Sequence, residues 1–253
     1  MRHVADCKPR PWHCGTRAWR NGCDCRILRR LFPSRAWGRG VAVWGPYLLC
    51  AGAVAGLLWA EYRGSRTGLR LTKPVASLAF IWAGVAAGAL DSTYGQLVLL
   101  GLVLCLLGDL FLIPLDRPAA FRAGVFAFLA GHVAYSAAFL TRPLDLLGLA
   151  AGAVLLAMVV GGTLRWLGAA LPAEMVWPVR VYMIVIGVMS MLACGVTAAG
   201  GPWAVALGAL AFTASDISVA RDRFVRHEFL NRAWGLPLYY GAQLLIASTP
   251  AML

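Results

Sequence analysis

Long apolar runs alternate with short polar connections along most of this chain. Each run holds close to the roughly 20 residues that a helix needs to cross a bilayer. Charged residues, prolines and glycines separate the runs, so the pattern predicts eight helices. The expected ranges are 41–60, 74–90, 94–113, 121–140, 144–163, 181–199, 203–219 and 236–252.

The runs lack the alternation of apolar and polar positions that a membrane β-barrel requires. The segment 96–114, for example, is apolar on every face of a helix. Open sheet edges are not tolerated in lipid, whereas helices satisfy their own backbone groups. We therefore predict an all-α fold, a polytopic membrane helix bundle of about eight transmembrane helices. Gly- and Ala-rich stretches such as 83–89 allow these helices to approach closely.

Composition excludes an ordinary water-soluble domain. Of the 253 residues, 60% are hydrophobic and only 13% are charged, and the mean hydropathy is +0.71. Soluble domains carry about a quarter charged residues. Eight spans would take up about 160 residues and leave short connections and one tail. We expect a basic, disordered tail at 1–40 and an eight-helix transmembrane domain at 41–253.

The tail carries a net charge of +8 from ten Lys and Arg residues and two Asp residues. Such a segment can adhere to anionic lipids or to nucleic acid. Solvated disorder explains it more simply, and we predict no nucleic-acid partner.

The potential metal ligands of the tail lack the paired spacing of a zinc site, so we predict no metal and no cofactor. These residues are Cys7, His13, Cys14, Cys23 and Cys25.

Basic residues are distributed unevenly between the loops, which predicts the orientation. Twelve Lys and Arg residues follow helices one, three, five and seven, whereas the remaining connections carry Arg142 alone. We therefore expect a multi-pass protein of a bacterial inner membrane, with the odd-numbered loops in the cytoplasm. The basic tail would itself favour the cytoplasm and opposes this orientation, but four separate loops agree.

Two aspartates stand near the ends of apolar runs, Asp109 in the third and Asp216 in the seventh. Placing Asp at the centre of a membrane helix costs about 2.5–3.5 kcal/mol, so such residues usually mark a functional site or pathway. Both lie roughly 6 Å from the odd-loop ends of their helices. The simpler alternative is that each aspartate is only a polar residue near the membrane interface, hydrogen-bonded within the bundle. Their shared depth makes them candidates for a single functional site.

Other polar residues are expected in the same half of the membrane and could bind a substrate. His132 and Tyr135 are three residues apart and share a helical face, although His132 by itself is more typical of a satisfied core histidine than of a catalyst. The remaining candidates are Tyr62, Lys73, Tyr182, Ser215, Arg221, Tyr240 and Gln243.

An ordered set of short motifs resembles the YhhN-like family of integral membrane proteins, whose animal members are lysoplasmalogenases. The main motif is 104–114 (LCLLGDLFLIP), and a second is 208–216 (GALAFTASD). The resemblance extends over about residues 44–247. Further matching positions are Lys73, Pro74, Phe121, Gly124, Phe128, Gly131, His132, Tyr135, Tyr182, Met189, Tyr240 and Gln243.

The resemblance implies hydrolysis of the vinyl ether bond of lysoplasmalogens, with a lysophospholipid as substrate and membrane lipids as surroundings. Such a reaction needs one protonated carboxyl group and one ionised carboxylate, and two neighbouring carboxyl groups can supply both because they titrate separately. Asp109 and Asp216 would form this pair, in either order. The other polar candidates would orient water or substrate, while Lys73 and Arg221 would attract the phosphate.

Two further functions fit the same residues. Intramembrane carboxylates also serve as proton relays, so a proton-coupled transporter is one alternative. A lipid-binding membrane protein without catalysis is the other, with the aspartates fixing only how the helices pack. The sequence leaves the natural lipid substrate and the oligomeric state open.

Overall fold

The computed structural model describes residues 34–114, 117–168 and 170–253. The predictions for the basic tail and its cysteines therefore fall largely outside the described residues. Within them lie eight α-helices and no strand, which confirms the all-α class. The helices are α1 Ser34–Tyr62, α2 Arg66–Ala86, α3 Thr93–Phe111, α4 Pro118–Leu140, α5 Leu146–Leu167, α6 Ala173–Ala198, α7 Trp203–Ala220 and α8 Phe229–Ser248. A π-helical turn, Arg221–Val225, continues α7, and a 3-10 turn, Thr249–Met252, follows α8.

Four helices begin seven or eight residues before their expected starts: α1, α2, α6 and α8. Each contains an internal proline, namely Pro46, Pro74, Pro178 or Pro237. The expected boundaries stand next to charged residues, glycines and prolines, but a proline removes only one backbone hydrogen bond and membrane helices tolerate it. As a result, Lys73 and Arg232 lie inside helices rather than in loops.

The bundle is built from three closely packed helix pairs, α3 with α4, α5 with α6 and α7 with α8. Helix α2 packs against both α3 and α8, and α6 packs against α4 and α7. Large aromatic side chains fill the centre, among them the fully buried Phe80, Phe139 and Phe212. Large apolar side chains also cover the outside, as at Leu146 and Leu147, which are 80% and 81% exposed. An apolar exterior is what lipid contact requires.

Five of the helices in the described part of the chain are long and apolar enough to cross a membrane. They are α3, α4, α5, α6 and the continuous helix formed by α7 with its π-helical turn, Trp203–Val225. Helix α2 opens with Arg66, Arg70 and Lys73, which lowers its hydropathy. The architecture is therefore that of a multi-pass helical membrane bundle.

Glycines let the paired helices come into close contact. A Cβ atom at Gly148 of α5 would lie 2.4 Å from Cβ of Ala198 in α6. In α7, a Cβ at Gly208 would lie 2.8 Å from Cγ1 of Ile246 in α8. The closest approach between α3 and α4 occurs at Gly101, where an added Cβ would lie 2.4 Å from Cε1 of Tyr135. Backbone proximity at these points leaves no space for a side chain.

We expect Gly101→Ala to lower the free energy of unfolding by about 1–3 kcal/mol because the new methyl group overpacks the core. Tyr135 cannot easily move away, since its hydroxyl donates a 2.6 Å hydrogen bond to Oε1 of Gln243. Gly161→Ala is the matched control, because no atom lies within 4 Å of a Cβ built there. Thermal unfolding in detergent should show a lower Tm for Gly101→Ala alone. Equal values for the two variants would contradict this packing.

Candidate active site

A cavity of about 360 Å³ lies among the helices, with walls contributed by α1, α2, α3, α4, α6, α7, the π-helical turn and α8. Most of its lining is apolar, for example Val125, Val179 and Leu236. Asp109 and Asp216 both line it, although they are far apart in the sequence. The fold therefore brings the two candidate catalytic aspartates to one chamber.

Asp109 is buried near the end of α3 and is surrounded by donors from α2 and α8. Its Oδ2 accepts a 2.7 Å hydrogen bond from the Ser77 hydroxyl and a 2.8 Å hydrogen bond from the Tyr239 hydroxyl. Its Oδ1 lies 3.4 Å from Nζ of Lys73, whose side chain is itself only 12% exposed. An ammonium group at this distance compensates a carboxylate charge that would otherwise be costly inside an apolar bundle.

Asp216 lies on α7 in a different environment. Its Oδ2 accepts a 2.8 Å hydrogen bond from the Tyr182 hydroxyl of α6. Nε2 of His132, from α4, lies 3.5 Å from the same oxygen but is not aligned for a hydrogen bond. His132 is fully buried, and neither of its ring nitrogens has a hydrogen-bond partner among the described residues. The neighbours of Asp216 are thus a phenol and an imidazole, whereas Asp109 contacts an ammonium group.

Aromatic rings connect the two aspartate environments. The Phe212 ring lies 4.5 Å from the His132 ring and 5.3 Å from the Tyr239 ring, measured between centroids. Phe128 lies 5.7 Å from Tyr239 and forms part of the cavity wall. Charges in such an apolar setting interact more strongly than they would in water. Both carboxyl groups therefore border the same apolar region, which these aromatic rings form.

Four of the predicted binding residues lie behind the cavity wall rather than on it, and His132 is one of them. Tyr135 and Gln243 bind each other within the core, and Nε2 of Gln243 has no hydrogen-bond partner in the described part of the chain. The Tyr240 hydroxyl is 3.5 Å from Oγ of Ser77. Because Ser77 is the residue that binds Asp109, Tyr240 reaches the aspartate only through Ser77. These side chains can support the site but do not face its interior.

The remaining candidates have separate positions. Tyr62 is 65% exposed and packs its ring 5.4 Å from that of Phe229. Arg221 is held by Asn231 and lies 3.5 Å from Glu228. Ser215 lines the cavity, but its hydroxyl donates to the backbone oxygen of Phe212. Lys73, Tyr182 and Ser215 are thus the predicted binding residues that reach the cavity.

Sequence reasoning missed two groups of residues at this site. The first is Ser77, which lies one helical turn after Lys73, a spacing that would have placed both on one face of α2.

The second group is a charged network at one end of the cavity, formed by the end of α1, the start of α8 and the π-helical turn. No sequence spacing links these distant segments. The network contains Glu61, Asp222, Arg223, His227 and Arg232, all of which line the cavity.

Arg232 is the centre of this network. Its two terminal nitrogens lie 2.7 Å from Oε1 of Glu61 and 3.0 Å from Oδ2 of Asp222. Nδ1 of His227 also lies 3.1 Å from that Asp222 oxygen. The His227 side chain is 78% exposed, so this end of the cavity reaches the protein surface. The chamber therefore combines an apolar interior, the buried Asp109, the partly buried Asp216 and a charged surface end.

The side chains of this chamber can supply proton transfer through two carboxyl groups and their phenol and imidazole neighbours. Among the residues that the structure describes, no group of three or more His, Cys, Asp or Glu is arranged to hold a metal ion. The apolar walls suit a lipid chain, and the charged end suits a polar headgroup.

Comparison with known proteins identifies relatives of the chain. It is 35% identical over 156 residues to lysoplasmalogenase TMEM86A of Bos taurus, a match that covers 59% of this chain and 63% of the bovine protein. Lysoplasmalogenase TMEM86B of Homo sapiens is 36% identical over 176 residues, with 68% of this chain and 70% of the human protein covered. The chain thus spans less than two thirds of the bovine relative. No solved structure matches.

Residues 69–249 match the YhhN family. This segment contains both aspartates, the aromatic residues that lie between them and every cavity-lining residue except Glu61. Because the match extends over more than two thirds of the sequence, the chain belongs to the YhhN family.

Proposed function

We propose that this chain is a membrane hydrolase that cleaves the vinyl ether bond of lysoplasmalogens, releasing a fatty aldehyde and a glycerophospho-alcohol. The observation that carries the proposal is the pair of aspartates on one largely apolar cavity. Relatives named lysoplasmalogenases support the choice of reaction. A substrate with one alkenyl chain and a polar headgroup matches a chamber with an apolar interior and a charged end.

The reaction begins with protonation of the vinyl ether. A carboxyl group gives its proton to the β-carbon, the double-bond electrons form the new C–H bond, and an oxocarbenium ion remains. A water molecule adds to the cationic carbon while a second carboxyl group takes a proton from that water. The resulting hemiacetal then loses its hydroxyl proton, breaks its bond to the glycerol oxygen and returns a proton to that oxygen. One water is consumed, and both carboxyl groups recover their starting state.

The different neighbours of the aspartates favour one division of roles. Lys73 lies 3.4 Å from Asp109, so a negative charge is compensated there and Asp109 suits the group that accepts a proton from water. Asp216 accepts a hydrogen bond from Tyr182 and suits the proton donor. Ser77 and Tyr239 fix the orientation of Asp109 through its Oδ2. We infer that Asp216 is the acid and Asp109 the base.

The distribution of basic residues supports a cytoplasmic position for this site. The charged end of the cavity lies beside the π-helical turn and the start of α8, where Arg221, Arg223, Arg226 and Arg232 are found. Basic residues at the ends of spans favour the cytoplasmic side. A substrate would then enter from the inner leaflet, with its headgroup at the charged end.

We expect Asp109→Asn and Asp216→Asn each to reduce aldehyde release by about 10²–10⁴-fold, because each removes one proton-transfer group. Release is measured with the purified chain and a 1-alkenyl lysophospholipid. Asp145→Asn is the matched control, since Asp145 caps α5 by accepting a hydrogen bond from the backbone N–H of Gly148 and asparagine caps equally well. Full activity in both cavity variants would rule out the acid–base assignment.

Isotope labelling tests the direction of bond cleavage. In D₂O we expect one deuterium on the carbon next to the aldehyde carbonyl, because the proton comes from a carboxyl group that exchanges with solvent. In H₂¹⁸O the glycerophospho-alcohol should stay unlabelled, because water adds to the alkenyl carbon and the glycerol oxygen is retained. Mass spectrometry of the products, with the aldehyde trapped as it forms, measures both. Labelled oxygen in the glycerophospho-alcohol would contradict the oxocarbenium route.

A further inference from the structure

Arg223 stands out among the basic residues at the charged end of the cavity. Arg232 is bound between Glu61 and Asp222, and Lys73 is paired with Asp109. The guanidinium of Arg223 instead lies over the ring of Phe121, 4.4 Å from its centroid. Its contact is therefore with an aromatic ring, and it lines the cavity.

The contact with Phe121 leaves Arg223 able to bind an anion. A cation over an aromatic ring is attracted by the negative face of the π-system, and this contact uses no oxygen acceptor. The guanidinium carries five N–H donors, which can therefore still bind oxygen atoms. This fork of donors matches two oxygens of a phosphate group. Phe121 thus holds Arg223 in place without occupying its hydrogen bonds.

The spacing between Arg223 and the proposed acid fits a lysoplasmalogen. Arg223 follows Asp216 by seven residues in a continuous helical segment, an axial separation of roughly 10 Å, and both residues line the cavity. In the substrate, the chain of bonds from the alkenyl β-carbon to phosphorus extends over roughly 9 Å at ordinary bond lengths. A molecule protonated at Asp216 can therefore bring its phosphate to Arg223.

We propose that Arg223 binds the lipid phosphate and makes the site selective for phosphate-bearing lysolipids over neutral alkenylglycerols. This inference rests on the proposed function for the identity of the lipid, and it replaces the earlier expectation that Arg221 binds the phosphate. Arg221 is engaged by Asn231 and Glu228. Asp222 pairs with Arg232 and contacts His227, whereas the Arg223 guanidinium contacts the ring of Phe121.

Binding to an uncleavable ligand tests the inference separately from catalysis. The full chain in maltoside micelles is titrated with a saturated 1-O-alkyl-glycerophosphocholine and, in parallel, with the 1-O-alkylglycerol of equal chain length. We expect Arg223→Gln to weaken binding of the phosphate-bearing ligand by roughly tenfold or more, the usual effect of losing a charge-assisted hydrogen bond, and to leave the neutral ligand unchanged. Arg223→Lys should retain part of the affinity, because it keeps the charge but loses the fork.

Arg226→Gln is the matched control. Arg226 belongs to the same stretch of chain, but its side chain is 71% exposed and pairs with Glu228 at 2.7 Å, so we expect unchanged binding of both ligands. Equal weakening of both ligands by Arg223→Gln, no weakening of either, or no binding by the parent chain would each overturn the inference. Selective binding without aldehyde release from a lysoplasmalogen would instead overturn the proposed function while leaving the phosphate site in place.

Discussion

The ion pair between Lys73 and Asp109 governs the arrangement of this end of the bundle. A carboxylate surrounded by apolar helices is costly unless a counter-charge and hydrogen bonds compensate it. Asp109 belongs to α3, whereas Lys73 and Ser77 come from α2 and Tyr239 comes from α8. Three helices must therefore pack in one register for the carboxylate to be satisfied. The same register places Asp109 on the cavity that Asp216 reaches from α7.

The cavity has the polarity profile of the lipid proposed to bind in it. Apolar side chains and aromatic rings form its interior, and charged residues are concentrated where His227 reaches the surface. At that end Arg232 pairs with both Glu61 and Asp222, whereas the guanidinium of Arg223 contacts the ring of Phe121. An alkenyl chain would lie in the interior with its headgroup at the surface, which brings the ether bond between them to the depth of the aspartates.

The helix that bears Asp216 also forms part of this charged end. After Ala220 it continues as a π-helical turn, and such turns are frequent at functional sites. Because the chain does not break there, Asp216 and Arg223 keep a defined spacing. The early starts of α2 and α8 have a similar effect, since they place Lys73 and Arg232 on rigid helices instead of loops. Residues on helices hold their positions more accurately than residues on loops.

The sequence by itself determined the class of the protein and the number of helices in the part of the chain that the structure describes. Hydropathy is a local property, and the requirement that backbone groups be satisfied in lipid leaves few alternatives to helices. Asp109 and Asp216 could be recognised for the same reason, because a carboxylate inside an apolar run is costly wherever the chain folds. The helix starts at Arg66, Ala173 and Phe229 were not predictable from hydropathy, since charged residues and prolines there interrupt the apolar pattern without ending the helix.

Only the tertiary structure decided which polar residues meet. Tyr239 binds Asp109 while its neighbour Tyr240 lies behind it, and Arg223 faces the cavity while Arg221 is held by Glu228. These pairs are nearly identical in local sequence context. Their different roles follow from the rotation of α7 and α8 within the bundle, which is set by packing between helices that are distant in the chain, and no local pattern records that rotation.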